Sequence, residues 1–228
     1  MNARKLITYV VLKQGRVMPA PRKFSREQLQ AAALALVDEQ GLQGLTMRNL
    51  AAELKTGAMT IYNYVDGREG LEELVTEAVM IETQWTDTGG DWATRVFAIA
   101  EAMWRAVRAH PHVIPLILTR RSFDIPTLVP AEALLQALAD SGRSGLDLLV
   151  AFRAVSGFVT GFAQAELANP LSAPARGDRA AATDRVVRLP ADRFPRLIEI
   201  AHAAAAGDPE TEFRDGLRIV LAGLRAEP

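Results

Sequence analysis

The sequence predicts an all-α protein in two parts, a small N-terminal unit of short helices and a larger helical body, and three observations predict it. Alanine is abundant and aromatic residues make up only 6% of the chain, a balance that favours helices over packed sheets. Apolar residues recur at spacings of three and four, and no alternating pattern is long enough for a sheet. Ser, Thr and Asp stand at the starts of several periodic segments, where their side chains can cap a helix. With 49% hydrophobic residues in 228, the chain has material for a substantial core. It has no cysteine, which excludes disulfides and thiolate metal sites and fits a reducing, cytoplasmic location.

Residues 1–23 read as a basic, disordered extension. Its apolar run Leu6 to Leu12 is too short to span a bilayer, no small-residue cleavage site follows, and no membrane partner is expected. Helical signals begin at Ser25, which with Gln28 forms a capping box, while Phe24 and Leu29 form a hydrophobic staple. The stripe Leu29, Ala32, Ala33, Leu36, Val37 follows, and Gly41 supplies a left-handed stop. Thr46 opens a second helix carrying Met47, Leu50, Ala51 and Leu54. The break Lys55-Thr56-Gly57 precedes a third, Ala58 to Val65. Asp66 with Glu69 opens a fourth, with Leu71, Leu74, Val75, Ala78 and Val79 as its buried stripe.

The remainder, 71–228, also reads as helices. Asp91 caps one that runs to Ala109 and ends at His110-Pro111. A short segment reaches Arg121, and another helix spans Ile125 to Asp140. Leu146 to Leu167 is apolar nearly all the way round, so it must be covered on more than one side. Residues 169–191 hold three prolines and mixed charge and read as a mobile loop. Helices from Asp192 to Ala206 and from Glu210 to Arg225 close the chain.

Residues 24–70 carry the functional signal. Three helices of which the last two are separated by about three residues have the spacing of a helix-turn-helix, whose second helix enters the DNA major groove. Ala58, Ile61 and Val65 form a thin stripe to be buried. Met59, Thr60, Tyr62, Asn63 and Tyr64 are left outward or to the sides, where hydroxyls and amides can meet phosphates or base edges. Tyr62 and Tyr64 also fit a packing role. Arg48 on the first turn of the second helix and Arg68 beside the next helix N-terminus are placed for phosphates, and the basic stretch Arg16 to Arg26 for the backbone or a minor groove. The charge agrees. Ten basic residues face six acidic ones through Gly70, against sixteen and twenty-one in the rest, which points to an anionic partner at this end.

The run Gly41-Leu42-Gln43-Gly44-Leu45-Thr46-Met47-Arg48-Asn49-Leu50-Ala51, followed by Thr60-Ile61-Tyr62-Asn63-Tyr64-Val65, resembles the N-terminal domain of the tetracycline-repressor (TetR) family. The resemblance covers roughly residues 24 to 80. It implies an all-α homodimer with a helix-turn-helix DNA-binding head and a larger ligand-binding and dimerising body. It places Arg48, Ala58, Met59, Thr60, Tyr62, Asn63, Tyr64 and Arg68 at DNA-contacting positions. Thr56, in the turn, joins them as a candidate. In the family a glycine follows the leucine that ends the second helix; here Leu54 is followed by Lys55 and Thr56, and the glycine is displaced to Gly57. Tyr64 stands where many members have histidine or phenylalanine. Met18-Pro19-Ala20-Pro21-Arg22-Lys23 is similar to a family N-terminus, so residues 1 to 17 are expected to be an added extension or the product of a misassigned start codon.

The helix Leu146 to Leu167 and the last helix are similar to the dimer-forming pair of that family. Phe213, Leu217, Val220, Leu221 and Leu224 line one face of the last helix, with Phe152 on the other member. The expected dimer would set two recognition helices about 34–36 Å apart on an inverted-repeat operator in double-stranded DNA. Trp85, Phe97, Met103, Trp104, Phe123, Phe152, Phe158 and Phe162 are candidate walls of a pocket for a small-molecule effector, with Gln84, Arg120, Arg121, Gln136 and Gln164 as polar contacts. Ordinary core packing is the competing reading for each. His110-Pro111-His112, with only His202 besides, is a poor metal site, and neither metal nor cofactor is expected. The magnesium-chelating histidine of the tetracycline repressor has no counterpart in Ile114–Leu118. The sequence therefore points to a DNA-binding regulator released by an effector. Alternatives are a ligand-independent DNA-binding protein and an enzyme on a helical scaffold, for which no nucleophile elbow, P-loop or Rossmann glycine pattern appears.

Overall fold

The computed structural model describes residues 23–86, 89–119, 125–168 and 176–226. Among them the chain is helical, without a strand. The helices are α1 (Arg26–Gly44), α2 (Met47–Glu53), α3 (Ala58–Tyr62), α4 (Gly67–Ile81), α5 (Trp92–Ala109), α6 (Ile114–Thr119), α7 (Ile125–Ala139), α8 (Gly145–Ala168), α9 (Arg176–Val187), α10 (Pro195–Ala206) and α11 (Pro209–Ala226), with a 3-10 turn at Pro111–Val113. Of the expected extension 1–23, residues 1–22 lie outside the described residues.

Capping starts the helices where the sequence places them. Ser25 accepts from the Gln28 amide and the Gln28 side chain answers to the Ser25 amide. Thr46 accepts from Asn49 at 3.1 Å and Asp91 from Thr94 at 2.9 Å. Gly41, at φ 68°, kinks α1 as the left-handed residue, and one further turn reaches Gly44. The head core is continuous from Leu29, Val37, Leu45, Leu50 and Ile61 to Leu71, Leu74 and Val75, all buried. Each such aliphatic side chain stabilises the fold by about 1.5–3 kcal/mol relative to exposure. Helix α4 packs along α1 and reaches α7, so it joins head to body.

In the body, α5, α7, α8 and α11 surround Trp104, Phe158, Phe162 and Phe213. The Trp104 and Phe213 rings stack at 4.3 Å, and Phe162 meets both edge-on. The Trp104 indole donates to Glu166 at 3.0 Å, which satisfies its one polar atom. Burial pushes the Glu166 carboxyl above the usual carboxylate range, against the opposing pull of the Arg108 guanidinium and the indole donor.

The segment expected as a mobile loop is corrected in part: α9, Arg176–Val187, lies inside it. Its prolines flank the helix, and the alanines and arginines between them are good helix formers. Helices α9 and α10 pack chiefly on each other.

Candidate functional site

The turn after α2 is a Schellman motif. The Thr56 amide reaches the Ala51 carbonyl at 2.8 Å and the Lys55 amide the Ala52 carbonyl at 3.0 Å. That motif needs a left-handed residue, and Lys55 supplies it at φ 52°. Gly57, at φ −85°, is extended backbone and serves as the N-cap of α3 without a side-chain cap bond. The displaced glycine thus leaves the geometry of the turn intact, with a lysine in the conformation a glycine would adopt freely. Thr56 is half-buried and does not cap α3.

On α3, Ile61 is fully buried and Val65 lies just beyond the helix in the same core, so the thin stripe is where the spacing puts it. The helix is shorter than expected, because Asn63 and Tyr64 form a turn. Met59 is 76% exposed and Tyr62 54% exposed, with Asn63 exposed beside them. Large side chains held this far into water by a locked opposite face are available to a partner. Ala58 and Thr60 are half-buried at the sides.

Two residues with expected DNA roles have internal partners. The Tyr64 hydroxyl accepts the Phe24 backbone N–H at 3.0 Å and its ring tilts against the Phe24 ring. Arg68 donates to the carbonyls of Leu45 at 2.6 Å and Leu42 at 2.8 Å and to Glu72 at 2.6 Å. It ties the end of α1 to α4. Arg26 is likewise held, forking onto the buried Glu77 carboxylate, which Gln30 also meets at 2.7 Å. Lys23 stands over the Phe24 ring. Among the described head residues, Arg48 and Lys55 are the exposed cations without an acidic or aromatic partner.

The expected effector residues do not converge on one cavity. Trp85 and Gln136 line a cavity of about 200 Å³ with Arg95, Ala98, Ile99 and Ala133. The Arg95 head pairs with Asp140 while its buried Nε has no partner. Phe97 lies instead on a groove of about 550 Å³ between α5 and α11, and Gln164 on one of about 730 Å³ beside α1. Gln84 is exposed and Met103 packs against the core. Trp104 is fully buried and packs in the interior against Phe162 and Phe213, with Phe158 against those two rings. Arg120, Arg121 and Phe123 lie outside the described residues.

The residues of the expected dimer face lie mostly in the interior of the chain. Phe213, Leu217, Leu221 and Leu224 are buried within the chain, and Phe152 and Val220 are half-buried against the same core. An amphipathic helix has one apolar stripe, and α11 uses it on α5 and α8. Apolar groups that remain exposed are Leu146, Leu149 and Val150 on α8 and Ile219 on α11, with Gly157, Gly161 and Gly223 open to approach. By length and composition α8 is apolar enough to cross a membrane, but one side of it packs on α5, α7 and α11.

Sequence reasoning missed three contributors: Lys55, Arg95 and His110. The positive φ of Lys55 was signalled by the displaced glycine. In the sequence His110 reads as a helix end and as half of a poor metal pair.

Residues 29–74 match the family model of bacterial regulatory proteins of the tetR family, and residues 86–227 that of the tetracyclin repressor-like C-terminal domain. An HTH-type transcriptional regulator of Saccharopolyspora erythraea is 29% identical over 94% of this chain and 89% of its own length. The class C tetracycline repressor protein of Escherichia coli is 27% identical over 89% and 91%. The Streptomyces coelicolor TetR family protein ActR, solved in complex with actinorhodin, superposes with a TM-score of 0.75 at 29% identity, covering 91% of this chain and 97% of that one.

Proposed function

Because this chain belongs to the tetR family of bacterial regulatory proteins, we propose that it is a cytoplasmic homodimer that represses transcription from an inverted-repeat operator and is released by a small-molecule effector. The observation that carries this reading is the exposed face of α3, Met59, Tyr62 and Asn63, standing opposite a fully buried Ile61. Such a helix presents a fixed set of side chains to a groove. Arg48 and Lys55 flank it as unengaged cations for phosphates. Two further findings support the effector. ActR, a neighbour in structure, holds actinorhodin. The cavity of about 200 Å³ here offers the Trp85 ring as an apolar wall and Gln136 as a hydrogen-bonding group. Release requires only that the effector bind more tightly to a conformation whose heads no longer match the half-sites.

The partner copy is best placed against the outward side of α8, Leu146, Val150, Gly157 and Gly161, together with Ile219 and Gly223 of α11. Burying that side would explain a helix apolar all the way round. Small residues along it let two helices approach closely.

The test is selection of duplexes from a random pool at moderate salt. The expected product is an inverted repeat with half-sites about one helical turn apart. Recovery of no sequence above the input pool sinks the reading.

A further inference from the structure

His110 caps α5 where the body meets the head, and its ring touches both. Its Nδ1 lies 2.9 Å from the Asp38 carboxylate on α1, and its Nε2 lies 2.8 Å from the Glu82 carboxylate at the end of α4. A carboxylate only accepts. A ring that serves one on each nitrogen must donate from both, and only the imidazolium has two N–H groups. Next to it, His112 Nδ1 meets the Val37 carbonyl at 3.0 Å, a second tie from the same turn to α1. Beside this junction the groove of about 730 Å³ separates Gln40, Leu42 and Gln43 from Ile114 and Pro115, so the far end of α1 is held to the body by few groups.

We infer that His110 is a positioning residue for DNA binding, its doubly donating ring clamping α1 and the end of α4 to the body so that the head orientation depends on one proton. The inference rests on the operator reading above. Loss of the proton leaves one carboxylate facing a bare nitrogen lone pair, and that carboxylate turns to water. Helix α1 bears the head core through Leu29, Leu36 and Val37, so a loosened Asp38 loosens the whole head. The two heads then meet paired half-sites less often in register.

The charged groups facing the ring are Asp38 from α1 and Glu82 from α4. Helix α6, the next element, brings no charged side chain. On the ring's own segment Arg108 is turned to Glu166 and His112 to Val37. Burial alone would lower the pKa of the imidazole. The hydrogen bonds to Glu82 and Asp38, with their charges, outweigh burial and hold it above the ordinary histidine range. A raised value means that the clamp is complete below the ordinary histidine range and is lost only as pH climbs through the raised value above it.

The experiment compares wild type, His110→Gln and Glu82→Gln on one duplex recovered by selection with the wild-type protein, from about pH 6 to about pH 9. Wild-type affinity is expected to fall roughly tenfold more across this window than that of His110→Gln, a coupling of ordinary allosteric size. Glu82→Gln, which keeps the ring and its Asp38 bond, is expected to shift the wild-type transition to lower pH. Parallel curves, or an equal loss at every pH, overturn the inference. An NMR titration of the imidazole in the free protein reads the clamp without DNA. A His110 that titrates below about pH 6.5 overturns it even if no duplex is ever enriched, an outcome that separately sinks the operator reading.

Discussion

The hydroxyl of Tyr64 accepts the backbone N–H of Phe24 at 3.0 Å, across the head from the entry of α1. The ring that the sequence offers to DNA is therefore an anchor for the start of the first helix. Tyr62, two residues earlier, points to solvent. The two tyrosines are expected to separate under mutation. Tyr64→Phe should lower stability by about 1 kcal/mol, the usual net worth of a hydrogen bond, and leave operator affinity within about twofold. Tyr62→Ala should leave stability within about 0.5 kcal/mol and weaken operator binding at least tenfold. Denaturant unfolding and fluorescence anisotropy on the selected duplex measure both. Equal effects on binding would return Tyr64 to the DNA face.

Lys55 holds a left-handed conformation that costs a side-chain-bearing residue about 1–2 kcal/mol. Lys55→Gly is expected to raise stability by about 0.5–1 kcal/mol, the relief of strain exceeding the added freedom of the unfolded chain. Lys55→Ala keeps the strain and should not stabilise. The same glycine variant is expected to reduce the salt slope of DNA binding, because it removes an unengaged cation. A stability gain in Lys55→Ala as large as that in Lys55→Gly would show that the turn is not the cause.

Arg48 and Arg68 make the third contrast. Arg48 is exposed without an acidic partner, whereas Arg68 is bonded to two backbone carbonyls and Glu72. Arg48→Ala is expected to lower the salt slope by about one with little change in melting temperature. Arg68→Ala removes the guanidinium donor from the Leu45 carbonyl and leaves the Leu42 carbonyl with only the Leu45 N–H, and should cost about 1–3 kcal/mol of stability. Urea titration and salt-dependent anisotropy report the two. A salt slope unchanged by Arg48→Ala removes it from the interface.

Dimerisation through the outward side of α8 predicts that Gly161→Glu dissociates the protein, since a charged side chain enters a close helix contact. Gly216→Ala is the control for packing within the chain. A Cβ there would sit 2.6 Å from the Phe158 ring, and the expected outcome is a loss of about 1–3 kcal/mol with the dimer retained at concentrations where it is folded. Sedimentation velocity distinguishes them. A dimeric Gly161→Glu would place the interface elsewhere.

What the sequence by itself determined was local. Ser25, Thr46 and Asp91 mark their helix starts because a cap bond joins residues three apart. The stripes of α1 and α4 are legible because helical spacing alone brings their residues to one face. Tertiary structure decided which side chains remain free. Tyr64 finds Phe24 at a separation of 40 residues, Arg68 finds Leu45 at 23, and His110 finds Asp38 at 72. No periodicity encodes such partners, since they depend on how helices cross. The same holds for α11. Its apolar stripe was plain, but whether Phe213 and Leu217 faced a second copy or their own chain depended on where Trp104 and Phe158 lie. An apolar stripe specifies that something must cover it, and only the packed fold specifies what.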